Sequence, residues 1–396
     1  MPDSHFFAES PQALGIDPSK LDALLARAEK EVREGLLPSA QIAVARHGKI
    51  AAMRTVGRVT RGGRDVEATN DTLYVVFSAT KAITSAAAWL LIESGALALD
   101  ARVADIIPEF GSNGKDAVTV EQLFTHTCGF PYAPFRTLDW DDRHARLERF
   151  RRWRLNWEPG TRFEYHPTAS MWVIAELIER SSGTGFREFV RTRIAQPLGL
   201  PDLWVGLPRD QHDHLADVVH VGALPSEDEL HALGFPIIPP GEVTEDALEG
   251  FNEAAIREVG VPGGGGTMTA AELALFYQAL LAGGRAHDGA PVWKSETVAM
   301  ATRVRSGTLT DPIFGKLANR ALGLIVAGDG DRTYRGFGHT GSAAMFGHNG
   351  AGGQLAWGDP ATGISLGYCT NGCDRHPVRQ GRRSVALSSI AASLVT

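Results

Sequence analysis

The sequence predicts an α/β fold: an antiparallel sheet flanked by helices, with an inserted mainly helical domain. Patterns typical of strands lie near both ends of the chain, whereas helical patterns dominate its middle. The length of 396 residues also exceeds the size at which a single hydrophobic core usually keeps growing. We therefore predict a discontinuous α/β domain formed by residues 1–115 and 262–396, and a mainly helical domain with lid-like loops formed by residues 116–261.

The sheet is predicted from two hairpins, one near each end of the chain. After an amphipathic helix that begins at Asp17, residues 40–46 and 49–55 have the pattern of two strands. Residues 352–357 and 364–370 form a second pair, which flanks a turn rich in aspartate, proline and glycine.

The middle of the chain has a different character. Residues 119–258 have the pattern of helices and loops, and the acidic, loop-rich part over 207–260 is typical of a lid or a substrate wall. Thr269 and Glu272 form a capping box for the next helix. A closing helix is expected over 384–395.

Charge and composition exclude two classes of partner. The formal net charge is −7. Because phosphate binding needs a concentrated basic surface, no nucleic-acid partner is expected. The densest basic run, residues 146–155, has apolar residues at helical spacing and is interpreted as a solvated helix face. No stretch of about 18 apolar residues occurs, so no membrane partner is expected.

The N-terminus and the cysteines predict the compartment. The first residues lack the apolar core of a signal peptide, and Cys128, Cys369 and Cys373 cannot all pair. Both features predict a cytoplasmic protein. Histidines and aspartates alternate over 210–220, but without the spacing of a zinc site, so we expect a polar surface loop and predict no metal and no cofactor.

Ser78 carries the first chemical signal. The sequence Ser78-Ala79-Thr80-Lys81 follows an apolar run and precedes a segment rich in alanine and leucine, so Ser78 is expected at the start of a buried helix. The i to i+3 spacing puts its hydroxyl and the Lys81 amine on one helical face. A desolvated lysine can take the serine proton, and a helix N-terminus offers N–H donors to an oxyanion. The alternative is an N-cap serine beside a surface lysine.

Two further elements could complete a catalytic site. Tyr165 is predicted where a short extended segment enters a helix over 168–180, from which its phenol can reach across a cleft. Residues 346–353, Phe-Gly-His-Asn-Gly-Ala-Gly-Gly, lead into the C-terminal hairpin, and such a glycine-dense strand edge lets a substrate approach backbone donors. The alternatives are a packed structural tyrosine and a tight turn before a strand.

Together these three elements resemble the serine β-lactamase and penicillin-binding protein superfamily, in which S-x-x-K, Y-x-N or S-x-N, and K-T-G recur in this order. Within it, the chain is similar to the branch of class C β-lactamases, family VIII carboxylesterases and D-alanyl-D-alanine carboxypeptidases. Residues 123–130, Leu-Phe-Thr-His-Thr-Cys-Gly-Phe, are similar to the L-L-T-H-T-S-G-L stretch of that branch. Residues 159–183 and 262–266 match it in order as well.

The resemblance implies roles for individual residues. Ser78 matches the nucleophile, and Lys81 matches its activating partner. Tyr165 matches the residue that relays protons to and from the leaving group. The backbone N–H groups of Ser78 and Ala351 match the two oxyanion donors.

The K-T-G position is occupied here by His348, Asn349 and Gly350, with residues 339–341, His-Thr-Gly, as a weaker match. Histidine is mostly neutral near pH 7, whereas the lactamases carry a fixed lysine cation at this position. Pro167 replaces the asparagine that binds the lysine and the substrate amide, and proline has no side-chain donor. Both departures favour uncharged esters over lactams and peptides.

The resemblance therefore implies a serine hydrolase that cleaves small-molecule carboxylic esters through a Ser78 acyl-enzyme. The alternatives are a β-lactamase, a D-alanyl-D-alanine carboxypeptidase or D-amino-acid amidase, and a transacylase with the same residues. A catalytically silent binding module is disfavoured because a binder needs no such set. Residues 363–367, Gly-Ile-Ser-Leu-Gly, match the letters of the G-x-S-x-G elbow, but they lie inside a predicted strand, so Ser365 is expected to be an ordinary strand residue.

Overall fold

The computed structural model describes residues 3–236 and 241–395. In this part of the chain the strands are β1 (Ser39–Arg46), β2 (Lys49–Arg61), β3 (Arg64–Glu67), β4 (Tyr74–Val75), β5 (Trp204–Val205), β6 (Val219–Val221), β7 (Gly266–Met268), β8 (Thr310–Asp311), β9 (Lys316–Leu317), β10 (Ile325–Val326), β11 (Phe346–Gly347), β12 (Leu355–Gly358), β13 (Ile364–Cys369) and β14 (Gly372–Asp374).

The α-helices of the same residues are α1 (Pro18–Arg33), α2 (Thr80–Glu93), α3 (Val103–Ile106), α4 (Val120–Thr125), α5 (Arg143–Arg152), α6 (Ala169–Ser182), α7 (Phe186–Val190), α8 (Gln196–Leu198), α9 (Glu227–Ala232), α10 (Glu245–Glu249), α11 (Ala254–Val259), α12 (Ala270–Leu281), α13 (Ser295–Ala301) and α14 (Pro377–Ala392). None of these helices is long and apolar enough to cross a membrane.

Seven strands form the main antiparallel sheet, in the order β10-β11-β12-β13-β1-β2-β3. β1 lies between β13 and β2, so the C-terminal hairpin pairs directly with the N-terminal one. His47 and Gly48, both with positive φ, turn β1 into β2, as a tight hairpin requires. The predicted antiparallel sheet built from both ends of the chain is confirmed.

Helices cover both faces of this sheet. Successive residues of β1 point to opposite faces. Ile42 and Val44 belong to a buried cluster with Leu24 of α1 and Leu387 of α14. Ala43 faces the other way, toward the cluster that contains α12. The sheet is therefore the middle layer of a three-layer domain.

Two helix predictions near the end of the chain had different outcomes. The capping box of Thr269 and Glu272 is present at the start of α12. The closing helix begins at Pro377 rather than at residue 384. The early part of α14 is polar but still packs, because Arg383 is buried and forms an ion pair with Glu31 of α1.

Residues 116–261 are mainly helical where the structure describes them, with α4–α11 and the two short strands β5 and β6. β5 pairs with β7, and β6 pairs with β14, so two ladders join this segment to the rest of the chain. The exact domain boundaries remain a prediction. Part of the predicted lid, residues 237–240, lies outside the described residues.

The basic run over 146–155 is only partly the solvated helix face that the sequence predicts. Arg152 on α5 is exposed and pairs with Glu148. Arg146 is instead buried, with Nη2 2.9 Å from Glu176 of α6 and a second contact to Glu179. The prediction is wrong for Arg146 because this face of α5 packs toward α6 and finds carboxylate partners there.

Candidate active site

Ser78 lies in a one-turn 3₁₀ helix, Phe77–Ala79, immediately before α2. Phe77 has a φ of 45°, in the left-handed region that aromatic residues seldom occupy. This bend leaves Ser78 half-buried at the N-terminal end of a 14-residue helix. The positive end of the helix dipole there favours negative charge that develops nearby.

Lys81 is completely buried beside Ser78. Its Nζ lies 3.3 Å from Ser78 Oγ and donates to the carbonyl oxygens of Pro167 and Gly263, each 2.7 Å away. Burial lowers the pKa of Lys81 below the ordinary lysine value, and the nearby Tyr165 phenol opposes this shift. A lysine with three acceptors and a lowered pKa is suited to receive and return a proton.

The two carbonyl groups that hold Lys81 were not predicted. Pro167 has no side-chain donor, but its backbone oxygen binds the lysine directly. A Cβ added to Gly263 would lie 3.1 Å from Pro167 O and 3.3 Å from Lys81 Nζ, so glycine permits this close approach. The run of four glycines at 263–266 was the available signal.

Tyr165 completes the group around the serine. Its hydroxyl donates to Ser78 Oγ over 2.9 Å, and Lys81 Nζ lies 5.0 Å from the centre of its ring. The structure thus brings together Ser78, Lys81 and Tyr165, which are separated by up to 87 positions in the chain. Proton transfer among the three groups is geometrically direct.

A cavity of about 360 Å³ opens beside this group. Its polar end is formed by the predicted residues Ser78, Tyr165, His348, Asn349 and Ala351. The rest of the lining is apolar at Val243, Ile313, Phe314, Leu317 and Ile325 and charged at Asp311, Lys316, Arg320 and Arg335. The cavity therefore combines the Ser78 hydroxyl with room for an apolar group.

Gly350 brings the edge of the sheet to the serine. A Cβ at this position would lie 2.2 Å from the Val76 carbonyl oxygen, so only glycine fits. Its N–H donates to Gln354 O, and Ala351–Gly353 form a tight 3₁₀ turn. The predicted strand start at residue 352 is therefore wrong, and β12 begins at Leu355.

His348 is almost fully buried at the K-T-G position. Its Nδ1 lies 2.8 Å from Asn349 O, and its Nε2 lies 3.4 Å from Arg320 Nη1. Because guanidinium groups only donate, Nε2 is the acceptor and Nδ1 carries the hydrogen. Burial, followed by the charges of Arg320 and Lys81, lowers the pKa of His348 well below its usual range. The imidazole is therefore neutral near pH 7.

Asn349 and Arg320 add details that the sequence did not provide. The Asn349 amide donates to Gly336 O over 2.8 Å, which anchors this residue to the neighbouring loop. Arg320 is a buried cation of the same cavity, and its Cζ lies 5.1 Å from the Tyr165 ring centre. No local pattern around Arg320 signals a site, since the fold alone brings it to the serine.

Two neutral histidines lie next to Tyr165: His126 packs against its ring, and His166 stacks on His126. The ring centre of His126 lies 4.8 Å from that of Tyr165, and His126 Nδ1 accepts the His166 N–H. His166 Nδ1 donates to Glu164 O over 2.7 Å, and its Nε2 accepts the Phe130 N–H. Burial lowers the pKa of His166 to about 3. The stretch over 123–130 thus positions the tyrosine.

The competing candidates lie elsewhere. Ser365 is fully buried in β13, where its Oγ donates to Ala274 O and accepts from Gln278 Nε2. His339 is exposed, and its N–H donates to Ser389 of α14. Within residues 3–236 and 241–395, no group of three His, Cys, Asp or Glu side chains could hold a metal ion.

Comparison with known proteins agrees with this geometry. A family model described as "Beta-lactamase" matches residues 24–389. The chain belongs to the beta-lactamase family. Two curated relatives of this family member are the "Esterase/beta-lactamase LipL" of Mycobacterium tuberculosis and "Esterase EstB" of Burkholderia gladioli. LipL is 28% identical over 76% of this chain and 70% of LipL, and EstB is 32% identical over 48% of this chain and 53% of EstB.

Solved structures of the family are similar over nearly the whole chain. A penicillin-binding protein homologue from Caulobacter crescentus has a TM-score of 0.81 and 30% identity, covering 96% of this chain and 99% of that one. A family VIII carboxylesterase has a TM-score of 0.76 and 25% identity, covering 94% and 98%. The predicted family and fold are confirmed.

The buried histidines predict acid sensitivity. The pKa values of His126, His166 and His348 are lowered in the folded chain, so below pH 6.5 the unfolded chain binds protons that the native chain does not. Stability is therefore lost as pH falls, by about 2 kcal/mol per histidine at pH 5. Urea unfolding between pH 7.5 and pH 5 measures this loss.

His166→Gln should reduce that pH dependence by about one proton, with His339→Gln as the matched exposed control. Most carboxyl groups titrate below this range. Buried Glu272, whose pKa is raised to about 8, changes the stability in the opposite direction, so the comparison of His166→Gln with its control isolates the contribution of His166. An equal pH dependence in His166→Gln and His339→Gln would contradict the assignment of a neutral buried imidazole at His166.

Proposed function

We propose that this member of the beta-lactamase family is a serine hydrolase that cleaves carboxylic esters through an acyl-enzyme on Ser78. One observation carries the proposal: Ser78 Oγ accepts hydrogen bonds from both Lys81 and Tyr165 at the end of a cavity. The names of LipL, EstB and the family VIII carboxylesterase support the ester class. A small-molecule ester is the corresponding partner.

Acylation begins with removal of the Ser78 proton. Burial lowers the pKa of Lys81 and so favours its neutral amine, the form that takes this proton directly or through the Tyr165 hydroxyl. Ser78 Oγ then attacks the ester carbonyl, and Tyr165 returns the proton to the leaving alcohol. The carbon–oxygen bond to the alcohol breaks, and the acyl group remains on Ser78.

The developing oxyanion needs donors close to the serine. In our proposal these are the N–H groups of Ser78, at the start of α2, and of Ala351, in the turn that follows Gly350. Deacylation reverses the proton path: the Tyr165 hydroxyl relays a proton from water to Lys81 while the water oxygen attacks the acyl carbon. The bond between that carbon and Ser78 Oγ then breaks, the carboxylic acid leaves, and the proton returns from Lys81 through Tyr165 to Ser78 Oγ. No cofactor takes part in these steps.

The polar end of the cavity favours esters over lactams. The position that carries a substrate-binding asparagine in the lactamases is Pro167, and its carbonyl is already bound by Lys81. His348 is neutral and supplies no charge. The apolar part of the wall suits an alkyl or aryl group of the ester.

We also infer that the protein works in the cytoplasm. Its three cysteines, Cys128, Cys369 and Cys373, are buried free thiols, which is typical of a reducing compartment. Cell fractionation with antibody detection tests this inference, and recovery of the protein in an extracellular or periplasmic fraction would contradict it.

The nucleophile is tested by replacement and by labelling. Ser78→Ala should abolish ester turnover while circular dichroism and thermal unfolding stay close to wild type, because only one half-buried hydroxyl is removed. An alkyl p-nitrophenyl phosphonate should add its mass to the peptide that contains Ser78. Labelling of Ser365, Ser170 or Ser342 instead would reject Ser78 as the nucleophile.

The proton path is tested at Lys81 and Tyr165. Lys81→Ala and Tyr165→Phe should each lower kcat by roughly two orders of magnitude or more, since each removes an acid–base group. The double variant should lose much less than the product of the two effects, because the groups act as a unit. Tyr132→Phe, at an exposed position outside the cavity, is the matched control. Near-normal activity of Tyr165→Phe would show that Tyr165 is only a packed tyrosine.

Substrate class is tested by steady-state kinetics on one enzyme preparation. p-Nitrophenyl butyrate should have a kcat/KM at least about fivefold above that of nitrocefin or ampicillin, because one lost amide contact alone is worth about 1 kcal/mol. Equal or better efficiency on the lactams would overturn the ester assignment while leaving the nucleophile in place.

A further inference from the structure

Among the described residues of the cavity wall, Arg320 is a buried cation without a carboxylate at ion-pair distance. The side chain is 9% exposed, and its backbone is fixed by hydrogen bonds to Arg305 and Ser306. In the described part of the chain its guanidinium forms no ion pair, and its buried Nε has no hydrogen-bond partner. Asp311, the carboxylate of this cavity, accepts the Ile313 N–H instead. A buried charge without a counter-ion is costly, so its retention calls for a functional reason.

The other cations of the cavity are different. Lys316 Nζ lies 3.3 Å from Asp331. Arg335 donates to the carbonyl oxygens of Leu317, Ala327 and Gly330. Both therefore have acceptors of their own, whereas the polar contact of the Arg320 guanidinium is with the neutral His348.

The contacts that Arg320 does make hold it toward the reacting groups. Nη1 donates to neutral His348 Nε2 over 3.4 Å, and Cζ lies 5.1 Å and 5.3 Å from the ring centres of Tyr165 and Phe163. These contacts offset part of the desolvation and fix the plane of the guanidinium. Arg320 and Ser78 line the same cavity.

We propose that Arg320 binds a carboxylate of the substrate, so that the preferred esters carry a negative charge in their acyl or alcohol part. This inference rests on the ester hydrolysis proposed above and names its substrate class. A planar guanidinium with unused donors matches the two oxygens of a carboxylate, and in a low-dielectric cavity the contact is strong. The fixed charge that the lysine of K-T-G would supply thus comes from the segment between β9 and β10.

Matched substrates test the proposal on the wild-type enzyme. One pair, 3-acetoxybenzoate and 3-acetoxybenzamide, places the charge in the alcohol part. The other pair, methyl hydrogen adipate and methyl adipamate, places it in the acyl part. In at least one pair, the kcat/KM of the carboxylate should exceed that of the amide by about tenfold or more, as expected for a charge-assisted contact. Equal values within both pairs would overturn the proposal.

Variants locate the preference. Arg320→Met should lower kcat/KM on the carboxylate much more than on the amide of the same pair and so remove the preference, and Arg320→Lys should keep part of it. Lys316→Met is the matched control, since it removes a paired cation of the same cavity and should leave the preference intact. A loss of equal size on both members of a pair in Arg320→Met would mean that Arg320 only positions Tyr165 and His348, and would reject the proposal.

A third measurement uses only the wild-type enzyme, so it tests the proposal even if Arg320→Met does not fold. Adipate should inhibit the wild-type enzyme competitively with a Ki about tenfold or more below that of adipamide, and equal constants would overturn the carboxylate site. Hydrolysis of neutral esters that depends on Ser78 but shows no charge preference would reject this inference alone. Absence of any hydrolysis that depends on Ser78 would reject the proposed function and this inference together.

Discussion

The site depends on one buried ammonium group and the three oxygens around it. Lys81 belongs to the first turn of α2, while its two carbonyl partners come from the turn before α6 and from the glycine run before β7. Their oxygens satisfy a charge that burial would otherwise make untenable. The same contacts fix Nζ at hydrogen-bonding distance from Ser78. The hydrogen bonds of Lys81 thus position the proposed base and also join three distant segments of the chain.

Around this cation the protein keeps its imidazoles neutral. His348 and His166 each donate from Nδ1 to a backbone carbonyl and accept at Nε2 from a donor that carries a fixed hydrogen. A second proton would place two donors against each other, so the tautomer is determined by geometry as well as by burial. The positive charge beside Ser78 and Tyr165 is therefore carried by Lys81 and Arg320 and not by the histidines.

Local patterns in the sequence were sufficient to predict which side chains meet around Ser78. Ser78 and Lys81 lie one helical turn apart, and Tyr165 adjoins a helix start, so spacing and resemblance could place all three. The role of the Pro167 carbonyl could not be predicted, because the motif compares side chains, and in that comparison proline only lacks the amide of asparagine. The contact with Lys81 is made by the backbone oxygen instead. Arg320 lies 28 residues from its partner His348 in a stretch without periodic pattern, and only strand pairing brings the two together. The buried Arg146 shows the same limit, since its carboxylate partners lie on another helix.

The two short ladders that join the helical segment to the rest of the chain affect how the protein unfolds. β5 pairs with β7, which immediately follows the glycine run, and β6 pairs with β14, which immediately follows the sheet strand β13. The segment over 116–261 therefore shares backbone hydrogen bonds with the strand that follows it in the chain, β7, and with β14 near the C-terminus. Unfolding of the helical segment would therefore also break backbone hydrogen bonds of β7 and β14.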